Sequence, residues 1–561
     1  MRPKARARIV VWARRAVQTA CLCLFFWLLW AARTGDEQPP NTALGLFFHI
    51  DPLILVGTWL STHEATAAAL LALITLVVTV LLGRVFCGWV CPLGTVHNAA
   101  TWCRRLVYKR RAARAAWSPW QRAKYYVLVA LLVMAVFGAH WIGVFDPISL
   151  LYRTTATALL PGAQYAIEDG STAVYRADPQ WGPIRPTSVT EPIYRFFRDR
   201  VFVIDRQVFT GGNLIFVLFV AIVLLNLYRP RFWCRYLCPL GALLGLCSKR
   251  PVLRLENQEG CTDCGLCAMR CPAAATPDKP GQWRSTECFG CWNCVAACNR
   301  DAIAFRFKSP LPAPSQAKLD LSKRAVLSAG VGGLAGLVTL RLTPQAQART
   351  FNLALIRPPG ARPEREFLQR CLQCGLCMKA CPTNALQPTL FEAGIEGMWT
   401  PRLVPRIGCC EYNCNLCGQV CPTEAIQPLA LEDKQKVKIG LASFDITRCI
   451  PYAYNRDCMV CEEHCPIPEK AIYFLQQEIT LRDGTTRSVK QPHVDPDLCI
   501  GCGVCESVCV FKDRPAIRVT SVNETRHPAN QAILPGLPQR AGDAGEPASQ
   551  DPYGASSDSP Y

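Results

Sequence analysis

The chain has 561 residues and a formal net charge of +19 at pH 7, and hydrophobic residues make up 50% of it. This length allows three or four domains. The positive charge does not indicate nucleic-acid binding, because it is concentrated beside apolar segments. Residues 1–16 contain six Lys or Arg and no acid, and residues 104–124 contain eight and no acid. Basic runs that flank apolar segments are typical of the cytoplasmic loops of membrane proteins.

Cysteine is the second unusual feature of the composition, with 33 residues of this type. Twenty-four of them fall into six motifs of four cysteines each, which excludes a disulfide scaffold and indicates metal ligands. Since iron–sulfur clusters are bound by thiolates, these cysteines must be reduced when the protein folds. We therefore expect the clusters to be assembled in the cytoplasm.

Four apolar segments lie in the first part of the chain, and they predict an all-α transmembrane bundle over residues 1–250. The segments are residues 16–32, 65–82, 125–144 and 213–228. The first is short for a spanning helix, and a signal peptide is the alternative, but no small-residue cleavage site follows it. With the N-terminus in the cytoplasm, the pattern predicts a multi-pass protein of the bacterial inner membrane.

The predicted bundle contains an internal repeat. Each half has an outward segment, an Asp-Pro pair, an inward segment and a C-x3-C-P-L-G motif. The cysteines of the two motifs are Cys87, Cys91, Cys234 and Cys238. If the halves pack symmetrically, the four thiols converge and act as redox-active pairs or hold a further cluster or metal. The alternative is that they are small apolar packing residues at helix ends set by Pro92 and Pro239.

Asp51 and Asp146 are the acids of the two Asp-Pro pairs. Carboxylates inside a membrane protein are candidate functional groups, so both are candidate proton acceptors at a quinol site. The alternative is that they cap a turn before proline. His49, His97 and His140 are weaker candidates for binding haem or quinone, with interfacial packing as the alternative.

Residues 251–308 have the cysteine spacing of a two-cluster bacterial ferredoxin. The two motifs are Cys261, Cys264, Cys267 and Cys271, followed by Cys288, Cys291, Cys294 and Cys298. In such ferredoxins the fourth cysteine of one motif binds the other cluster. We therefore expect Cys298 to complete the first cluster and Cys271 to complete the second. Because this domain follows the fourth apolar segment, we expect it in the cytoplasm.

Residues 309–350 contain a proline-rich linker and a second kind of apolar run. The run begins with Lys323-Arg324 and is followed by Ala346-Gln-Ala348. A basic head, an apolar body and an A-x-A sequence are the parts of an export signal, here similar to the twin-arginine type, which carries folded, cofactor-loaded domains. A fifth transmembrane segment and a soluble helix are the alternatives. Cleavage after Ala348 would split the chain in two.

Residues 351–521 carry four further motifs and predict a four-cluster polyferredoxin of α+β fold, in the periplasm if the segment before it is exported. The first motif has the spacing C-x2-C-x2-C-x3-C-P of bacterial [4Fe–4S] proteins, whereas zinc sites use two pairs with a longer spacer. The motif cysteines are Cys371, Cys374, Cys377, Cys381, Cys410, Cys414, Cys417, Cys421, Cys449, Cys458, Cys461, Cys465, Cys499, Cys502, Cys505 and Cys509.

Spacing leaves the ligand exchange among these four motifs open. We expect a nested exchange, in which the first motif shares ligands with the fourth and the second with the third. Cys409 is an alternative to Cys410 as a ligand. The six motifs of the chain together predict six [4Fe–4S] clusters. Residues 522–561 contain few apolar side chains and are expected to form a disordered tail.

These motifs resemble two known families. Residues 1–308 resemble NapH, the membrane iron–sulfur subunit associated with periplasmic nitrate reductase, and are similar to the membrane parts of NosR and CcoG. Residues 320–518, which include Arg357-Pro-Pro-Gly-Ala361, resemble the NapG/MauM ferredoxins. The chain thus resembles a natural fusion of NapH and NapG. The resemblance implies a quinol dehydrogenase component that passes electrons from the quinone pool to a periplasmic reductase or redox partner.

Two other functions stay open at this point. The likeness to NosR and CcoG implies an accessory factor that reduces a metal or cluster while a partner metalloenzyme matures, and a non-redox assembly scaffold is the third alternative. The quinol route has one gap. The clusters predicted at residues 261–298 lie on the cytoplasmic face, and the sequence shows no carrier between them and the outer face. We expect contact with membrane lipid and none with nucleic acid.

Overall fold

The N-terminal half of the chain is helical in the structure, a computed structural model that describes residues 3–32, 41–107, 117–178, 186–202, 206–257, 260–275, 283–308, 321–342, 352–481 and 483–531. Elements are numbered in chain order. The first helices are α1 (Pro3–Ala31), α2 (Asn41–Leu44), α3 (Leu46–His49), α4 (Pro52–Thr62), α5 (Ala72–Leu82), α6 (Pro92–Val107), α7 (Ala123–Val136), α8 (Ile142–Phe145), α9 (Pro147–Thr154), α10 (Leu160–Ala177), α11 (Thr187–Phe196), α12 (Gly212–Tyr228), α13 (Phe232–Tyr236) and α14 (Pro239–Cys247). Single 3₁₀ or π turns lie between them at Ala67–Leu71, Phe86–Val90, Pro119–Arg122, Thr155–Leu159 and Phe197–Val201.

The helix bundle has two ends, and each end packs against a different part of the chain. At the end we call the Glu287 end, Lys124 Nζ lies 2.5 Å from Glu287 Oε2. At the end we call the Gln369 end, Ser61 Oγ donates a hydrogen bond to Gln369 O at 2.7 Å. Helices α1, α5, α7 and α12 run alternately between these ends, and α1 starts at the Glu287 end. The four helices thus run in the alternating directions that the sequence predicts for the four apolar segments.

Helix length supports only part of the predicted bundle. Two helices, Lys4–Ala31 and Lys323–Arg341, are long and apolar enough to cross a membrane, while Pro52–Thr62, Ala67–Leu82 and Gly212–Tyr228 are shorter apolar helices. The predicted segment 125–144 is not one helix, because α7 ends at Val136 and Gly138, at φ 80°, turns the chain. The four-span bundle is therefore not established by these helices.

Residues 253–307 form a small α+β module at the Glu287 end. Its elements are β1 (Leu253–Asn257), α15 (Leu266–Arg270), a 3₁₀ turn (Ser285–Glu287), α16 (Asn293–Ala297) and β2 (Ile303–Phe307). The two strands are antiparallel, with Leu253 opposite Phe307 and Asn257 opposite Ile303. Because both cysteine motifs of this region lie between the strands in sequence, the strand pair closes the module around them.

Helix α17 (Lys323–Arg341) packs along α7 and runs in the same direction. A Cβ atom at Gly333 would lie 2.7 Å from Ala130 O, so glycine is what permits the close approach of the two backbones. At the end of α17, Arg341 Nε lies 3.2 Å from Glu396 Oε2. The helix thus leads from the bundle into the C-terminal module. The linker residues 309–320 and the A-x-A cleavage position at Ala348 lie outside the described residues.

The C-terminal module repeats the strand arrangement of the first module twice. Its elements are α18 (Glu364–Arg370), α19 (Leu376–Ala380), β3 (Leu386–Pro388), β4 (Pro401–Leu403), α20 (Leu416–Gln419), α21 (Leu431–Lys436), β5 (Leu441–Phe444), α22 (Ile450–Ala453), α23 (Val460–Glu463), β6 (Ile472–Thr480), β7 (Thr486–Val494), α24 (Val504–Val508) and β8 (Ile517–Thr520). Pairs β3–β4 and β6–β7 are antiparallel hairpins. An antiparallel bridge joins Ala361 to Ile426, and β5 pairs with β8. Each of these two closures encloses two consecutive cysteine motifs.

Residues 522–531 are folded onto the C-terminal module. Thr525 N donates to Lys438 O at 2.9 Å, and Arg526 Nη1 donates to Glu364 Oε2 at 2.8 Å. The expected disordered tail therefore cannot begin at residue 522. Composition alone did not show this because the segment is held by polar contacts rather than by apolar burial. Residues 532–561 lie outside the described part of the chain.

Candidate iron–sulfur centres

The first motif of the C-terminal module lines an apolar cavity together with one distant cysteine. Cys371 and Cys374 lie in the loop after α18, and Cys377 lies in α19, which starts after Gly375 at φ 77°. The fourth thiol in the cavity wall is Cys421, the last cysteine of the second motif. The bridge between Ala361 and Ile426 places these two chain segments side by side.

The second motif is completed in the reciprocal way. Cys417 has its strongest thiol interactions with Cys410, Cys381 and Cys414. Cys381 is the last cysteine of the first motif, so the two motifs exchange their fourth cysteines with each other. Cys409 is not among these close neighbours of Cys417, so the geometry favours Cys410 over Cys409 as the ligand.

The third and fourth motifs form a second exchanging pair. Cys449, Cys458, Cys461 and Cys509 line one cavity. Cys505 interacts with Cys502 and Cys499, and Cys499 interacts with Cys465. The nested exchange expected from the sequence is therefore wrong. The physical reason is that each strand closure joins the ends of two consecutive motifs, which brings neighbours in sequence together.

The module at the Glu287 end shows the predicted crossover for one of its two centres. Cys288, Cys291 and Cys294 line a cavity with Cys271, beside Phe289 and Trp283. The other predicted centre of this module would use Cys261, Cys264, Cys267 and Cys298. Of these four, Cys267 is buried and Cys264 is exposed.

The chemistry of these thiol sets fits iron–sulfur clusters. Burial raises the pKa of the Cys374 thiol to about 12 and that of Cys271 to about 11, and crowded neighbouring thiols add to this effect. Four such thiols become thiolates only if a cation compensates their charge. In the described part of the chain, no three His, Cys, Asp or Glu side chains are close enough to bind a single ion. A zinc site needs sulfur atoms about 3.8 Å apart, whereas the larger [4Fe–4S] cluster binds thiolates that stand further apart.

The cysteines of the two C-x3-C-P motifs converge at one place in the bundle. Cys238 interacts electrostatically with Cys234, Cys87 and Cys91, and all four side chains are buried. The convergence does not arise from one helix face, because Cys87 lies in the π turn Phe86–Val90 and Cys91 follows it, while α13 ends between Cys234 and Cys238. We call this group the four-thiol centre.

In each motif the second cysteine caps the N-terminus of the next helix. Cys91 Sγ accepts a hydrogen bond from Gly94 N at 3.4 Å, and Cys238 Sγ accepts one from Gly241 N at 3.2 Å. Cysteine here does what Ser or Asp does at a helix N-cap, and the proline that follows suits the first helical position. These two cysteines therefore have a structural role at helix ends, as the alternative interpretation expected, and their thiols also converge with the other two.

Two arginines that the sequence analysis did not single out cross between the halves of the repeat. Arg231 Nη1 donates to Cys87 O at 3.1 Å, and Arg84 interacts electrostatically with Cys238 as well as with Cys87. The guanidinium group of Arg84 lies 5.1 Å from the centre of the Phe289 ring, and that of Arg231 lies 4.6 Å from it. Each arginine precedes the first cysteine of its motif by three residues, so aligning the two halves would have identified them.

The charge balance around the four-thiol centre leaves room for an anionic group. Arg84, Arg231 and Lys124 are fully buried, and Glu287 pairs with Arg84 at 3.6 Å and Lys124 at 2.5 Å. No salt bridge to Arg231 is seen among the described residues. Since a buried cation needs a compensating charge, thiolates at the four-thiol centre fit this surrounding.

Asp51 and Asp146 are fully buried helix caps. Asp51 Oδ1 accepts from Leu53 N at 2.8 Å, and Asp146 Oδ2 accepts from Ser149 N at 2.7 Å. Their other carboxyl oxygens have no partner among the described residues apart from each other. The two side chains interact with each other, so the symmetric repeat brings them together.

Comparisons with known proteins identify iron–sulfur domains in both halves of the chain. Models of a 4Fe-4S binding domain match residues 64–110 and 212–256, residues 368–387, and residues 491–512. The first two ranges contain the two C-x3-C-P motifs, so the internal repeat is recognised as two copies of one domain. The other ranges contain the first and fourth motifs of the C-terminal module.

Three curated proteins are similar to parts of this chain. The methylamine utilization ferredoxin-type protein MauM of Methylorubrum extorquens is 34% identical over 226 residues, which is 39% of this chain and 98% of MauM. The ferredoxin-type protein NapG of Escherichia coli (strain K12) is 36% identical over 189 residues, 34% of this chain and 79% of NapG. YccM of the same organism is 27% identical over 263 residues, 46% of this chain, and the chain spans 60% of its length. No solved structure matches the chain.

Proposed function

This chain belongs to the ferredoxin-type family of MauM and NapG, and we propose that it carries electrons from quinol to a periplasmic redox partner. In this proposal residues 1–308 act as a NapH-like membrane component with two clusters. The C-terminal module acts as a periplasmic polyferredoxin with four clusters. Each cluster, when bound, accepts and releases one electron at a time.

A membrane position is supported by the outer surface of the bundle. Large apolar side chains are exposed along α5 and α12, including Ile74, Val77 and Val217, each about 60% exposed. A soluble monomer rarely exposes continuous apolar surfaces of this kind. The basic residues at the start of α1 lie at the Glu287 end, which supports a cytoplasmic position for that end under the positive-inside rule.

The observation that carries the proposal is the placement of the two cluster modules at opposite ends of one bundle. Arg84 Nη1 donates to Thr286 O at 2.9 Å at the Glu287 end. Arg153 Nη1 donates to Gln373 O at 3.2 Å at the Gln369 end. Gly143 approaches the backbone of Leu372 so closely that a Cβ atom has no room there. Both modules are thus fixed to the bundle through backbone contacts beside their cysteines.

The four-thiol centre supplies the carrier that the sequence did not show between the two modules. On one side, Phe289, which precedes Cys291 by two residues, packs against the arginines of the centre. On the other side, Trp233, next to Cys234, stacks on Phe145 with ring centroids 6.5 Å apart. Phe289 and Trp233 are buried and Phe145 is partly buried, so aromatic side chains pack on both sides of the centre.

The contacts continue to the first centre of the C-terminal module. Arg153 Nη2 donates to Val144 O at 3.2 Å, next to Phe145. The Arg153 guanidinium also lies 4.4 Å from the ring of Trp399, and Arg153 interacts electrostatically with Cys374. Arg153 thus connects the middle of the bundle to the cavity of Cys371, Cys374, Cys377 and Cys421. We infer that it holds this cavity in register with the four-thiol centre.

The function is tested by adding decylubiquinol to the anaerobic, purified full-length protein and recording the cluster absorbance and electron paramagnetic resonance. Quinol-dependent reduction of the clusters is the expected result. A Cys91→Ser/Cys238→Ser variant should keep reduction of the C-terminal clusters and lose electron exchange with the module at residues 253–307. Cys247→Ser, at the opposite end of the helix that Cys238 caps, is the matched control.

Clusters that dithionite reduces and quinol does not would contradict the quinol route. The remaining proposal would then be an accessory factor that reduces a metal or cluster during maturation of a partner enzyme. That role predicts a defect in metal loading of the partner when the gene is deleted.

A further inference from the structure

The four centres of the C-terminal module are joined in an order that differs from the order of their motifs in the sequence. The centre of the first motif lies against the bundle, because Arg153 Nη1 donates to Gln373 O at 3.2 Å. Cys377, in this centre, interacts electrostatically with Cys417, which belongs to the centre of the second motif. These two centres are therefore neighbours, and the first of them is the one that faces the bundle.

The centre of the second motif is linked to that of the fourth. Cys410 N donates a hydrogen bond to Cys502 O at 2.8 Å, so the two centres share a backbone contact beside their cysteines. The centre of the third motif follows, since Cys505 interacts electrostatically with Cys461. The contacts thus give the order first, second, fourth, third, and the centre of the third motif lies at the end of the series.

The centre of the third motif, which we call the exit centre, lies beside exposed apolar side chains. Its cavity is lined by Cys449, Cys458, Cys461 and Cys509. Val510 lines the same cavity and is 50% exposed. Met459, between two residues of the cavity wall, is 39% exposed, and Tyr454, whose backbone N–H donates to Ile450 O in the wall, is 61% exposed. We call Tyr454, Met459 and Val510 the exit face.

The surroundings of the other centres in this module are different. At the centre of the first motif, Leu372 and Leu376 are buried. At the centre of the fourth motif, the cysteines themselves are buried. The centre of the second motif also comes near the surface, but Glu411 and Asn413, which lie between its cysteines in sequence, are polar and exposed. The second centre is therefore the rival to the exit centre.

The charged groups near the exit centre are paired with each other. Arg448 Nη2 lies 3.2 Å from Asp513 Oδ2, and the Arg448 guanidinium lies 5.5 Å from the centre of the Phe511 ring. Arg514 Nη2 lies 3.6 Å from Asp445 Oδ2. A surface whose charges balance internally fits a partner with an apolar contact area better than a strongly acidic or basic partner. Transient electron-transfer complexes use small contact areas, so a face of three apolar side chains is sufficient as their core.

We propose that electrons leave the protein at the exit centre and that the exit face docks a soluble one-electron carrier whose redox metal lies beneath an apolar contact area; the inference rests on the proposed function. In the transfer the metal ion of the carrier is reduced by one electron, and the [4Fe–4S] cluster bound at the exit centre is oxidised by one. No bond forms or breaks and no proton moves. Tyr454, Met459 and Val510 provide the contact that brings the two groups together.

Docking is tested in the absence of electron transfer with zinc-substituted azurin, a small carrier protein with an apolar contact area, added to the full-length protein in detergent. Hydrogen–deuterium exchange should slow in the peptides that carry the exit face. Met459→Lys should weaken azurin binding about tenfold, because docking would bury an unpaired ammonium group. Phe391→Lys is the matched control and should leave binding unchanged, since Phe391 is equally an exposed apolar side chain of this module but follows Leu390, which contacts Gly211 of the bundle.

Four results of this experiment would overturn the proposal. Slower exchange at Glu411 and Asn413 in place of the exit face would move the exit to the centre of the second motif. Slower exchange at the exit face on raising the protein concentration without azurin would assign that face to a second copy of the chain. Equal binding by the two lysine variants, or no binding of azurin to the wild type, would show that the exit face does not dock such a carrier.

Electron exit is tested by reducing the protein with dithionite, removing the excess and following the reduction of copper azurin. Met459→Lys should slow this reaction about tenfold at low azurin concentration, in step with its weaker binding. Cys449→Ser/Cys461→Ser should lower the iron content by about four atoms, leave the remaining clusters reducible by dithionite and slow their oxidation by azurin. An unchanged rate in the double variant would overturn the proposal. Because dithionite replaces quinol here, fast exit from a protein that quinol does not reduce would contradict the quinol route alone.

Discussion

At the scale of single residues, Cys421 shows what cysteine spacing predicts and what it leaves open. Its position before proline identifies it as a candidate ligand. Its three partners, however, lie in another motif, and pairing between distant segments, such as the bridge between Ala361 and Ile426, brings the two motifs together. Spacing describes how three cysteines wrap around a cluster locally, whereas the fourth ligand depends on strand pairing across the module.

The exchange of ligands predicts which double substitutions are additive. Cys371→Ser/Cys421→Ser removes two ligands of one centre and should cost about four iron atoms. Cys371→Ser/Cys509→Ser removes ligands of two centres and should cost about eight. Iron and sulfide analysis of the purified variants, with Cys409→Ser as the control that loses none, checks this. The opposite order of losses would restore the nested exchange.

Glu364 carries a second prediction at this scale. Burial alone would raise its pKa, but the guanidinium groups of Arg357 and Arg526 outweigh that effect and hold the pKa at about 2. The pKa is lower in the folded protein than in the unfolded chain, so the stabilisation is complete above about pH 4.5 and disappears as the pH falls toward 2.

Glu364→Gln should therefore lower the stability of the C-terminal module by about 3 kcal/mol at pH 7. This free energy corresponds to the lowering of the Glu364 pKa to about 2 in the folded protein. Thermal unfolding of the wild type and the variant gives the measurement. The difference between their melting temperatures should shrink when the pH is lowered below 4.5. A constant difference across this range would show that the effect comes from packing and not from charge.

At the scale of elements, the repeat was predictable and the helix boundaries were not. Hydrophobic segments and the two C-x3-C-P motifs indicated two equivalent halves, and the family model matches both. The segments turned out broken, because Gly138 and the Asp-Pro pairs interrupt the helices. An apolar run shows where a chain is buried or faces lipid, but it does not show where the backbone turns inside that run.

Helix α17 provides a test of packing between elements. Gly333→Leu should push α17 away from α7, because the added Cβ meets Ala130 O at 2.7 Å, and overpacking of this kind costs about 1–3 kcal/mol. Gly332→Leu is the control, since no heavy atom lies within 4 Å of a Cβ there. Melting temperature and protease sensitivity in detergent should change only for Gly333→Leu. Equal effects would mean that α17 does not pack on the bundle.

At the scale of the whole molecule, composition and cysteine motifs indicated membrane segments and cluster modules but not how they are joined. The opposite placement of the modules depends on contacts such as Lys124 with Glu287 and Ser61 with Gln369. These pairs join residues far apart in the chain, and no local pattern marks them.

This placement predicts that the two modules face opposite sides of the membrane. A protease site inserted after Lys308 should be cut in inverted membrane vesicles, and one inserted after Gly484, where an added side chain meets no atom within 4 Å, should be cut in spheroplasts. Helix α17 joins the two modules and is long enough to cross the membrane, so one crossing between the two sites is expected. Cutting of both sites from the same side would mean that α17 does not cross. The C-terminal clusters would then lie in the cytoplasm, out of reach of a periplasmic partner, and maturation of a cytoplasmic metalloenzyme would be the better explanation of the fold.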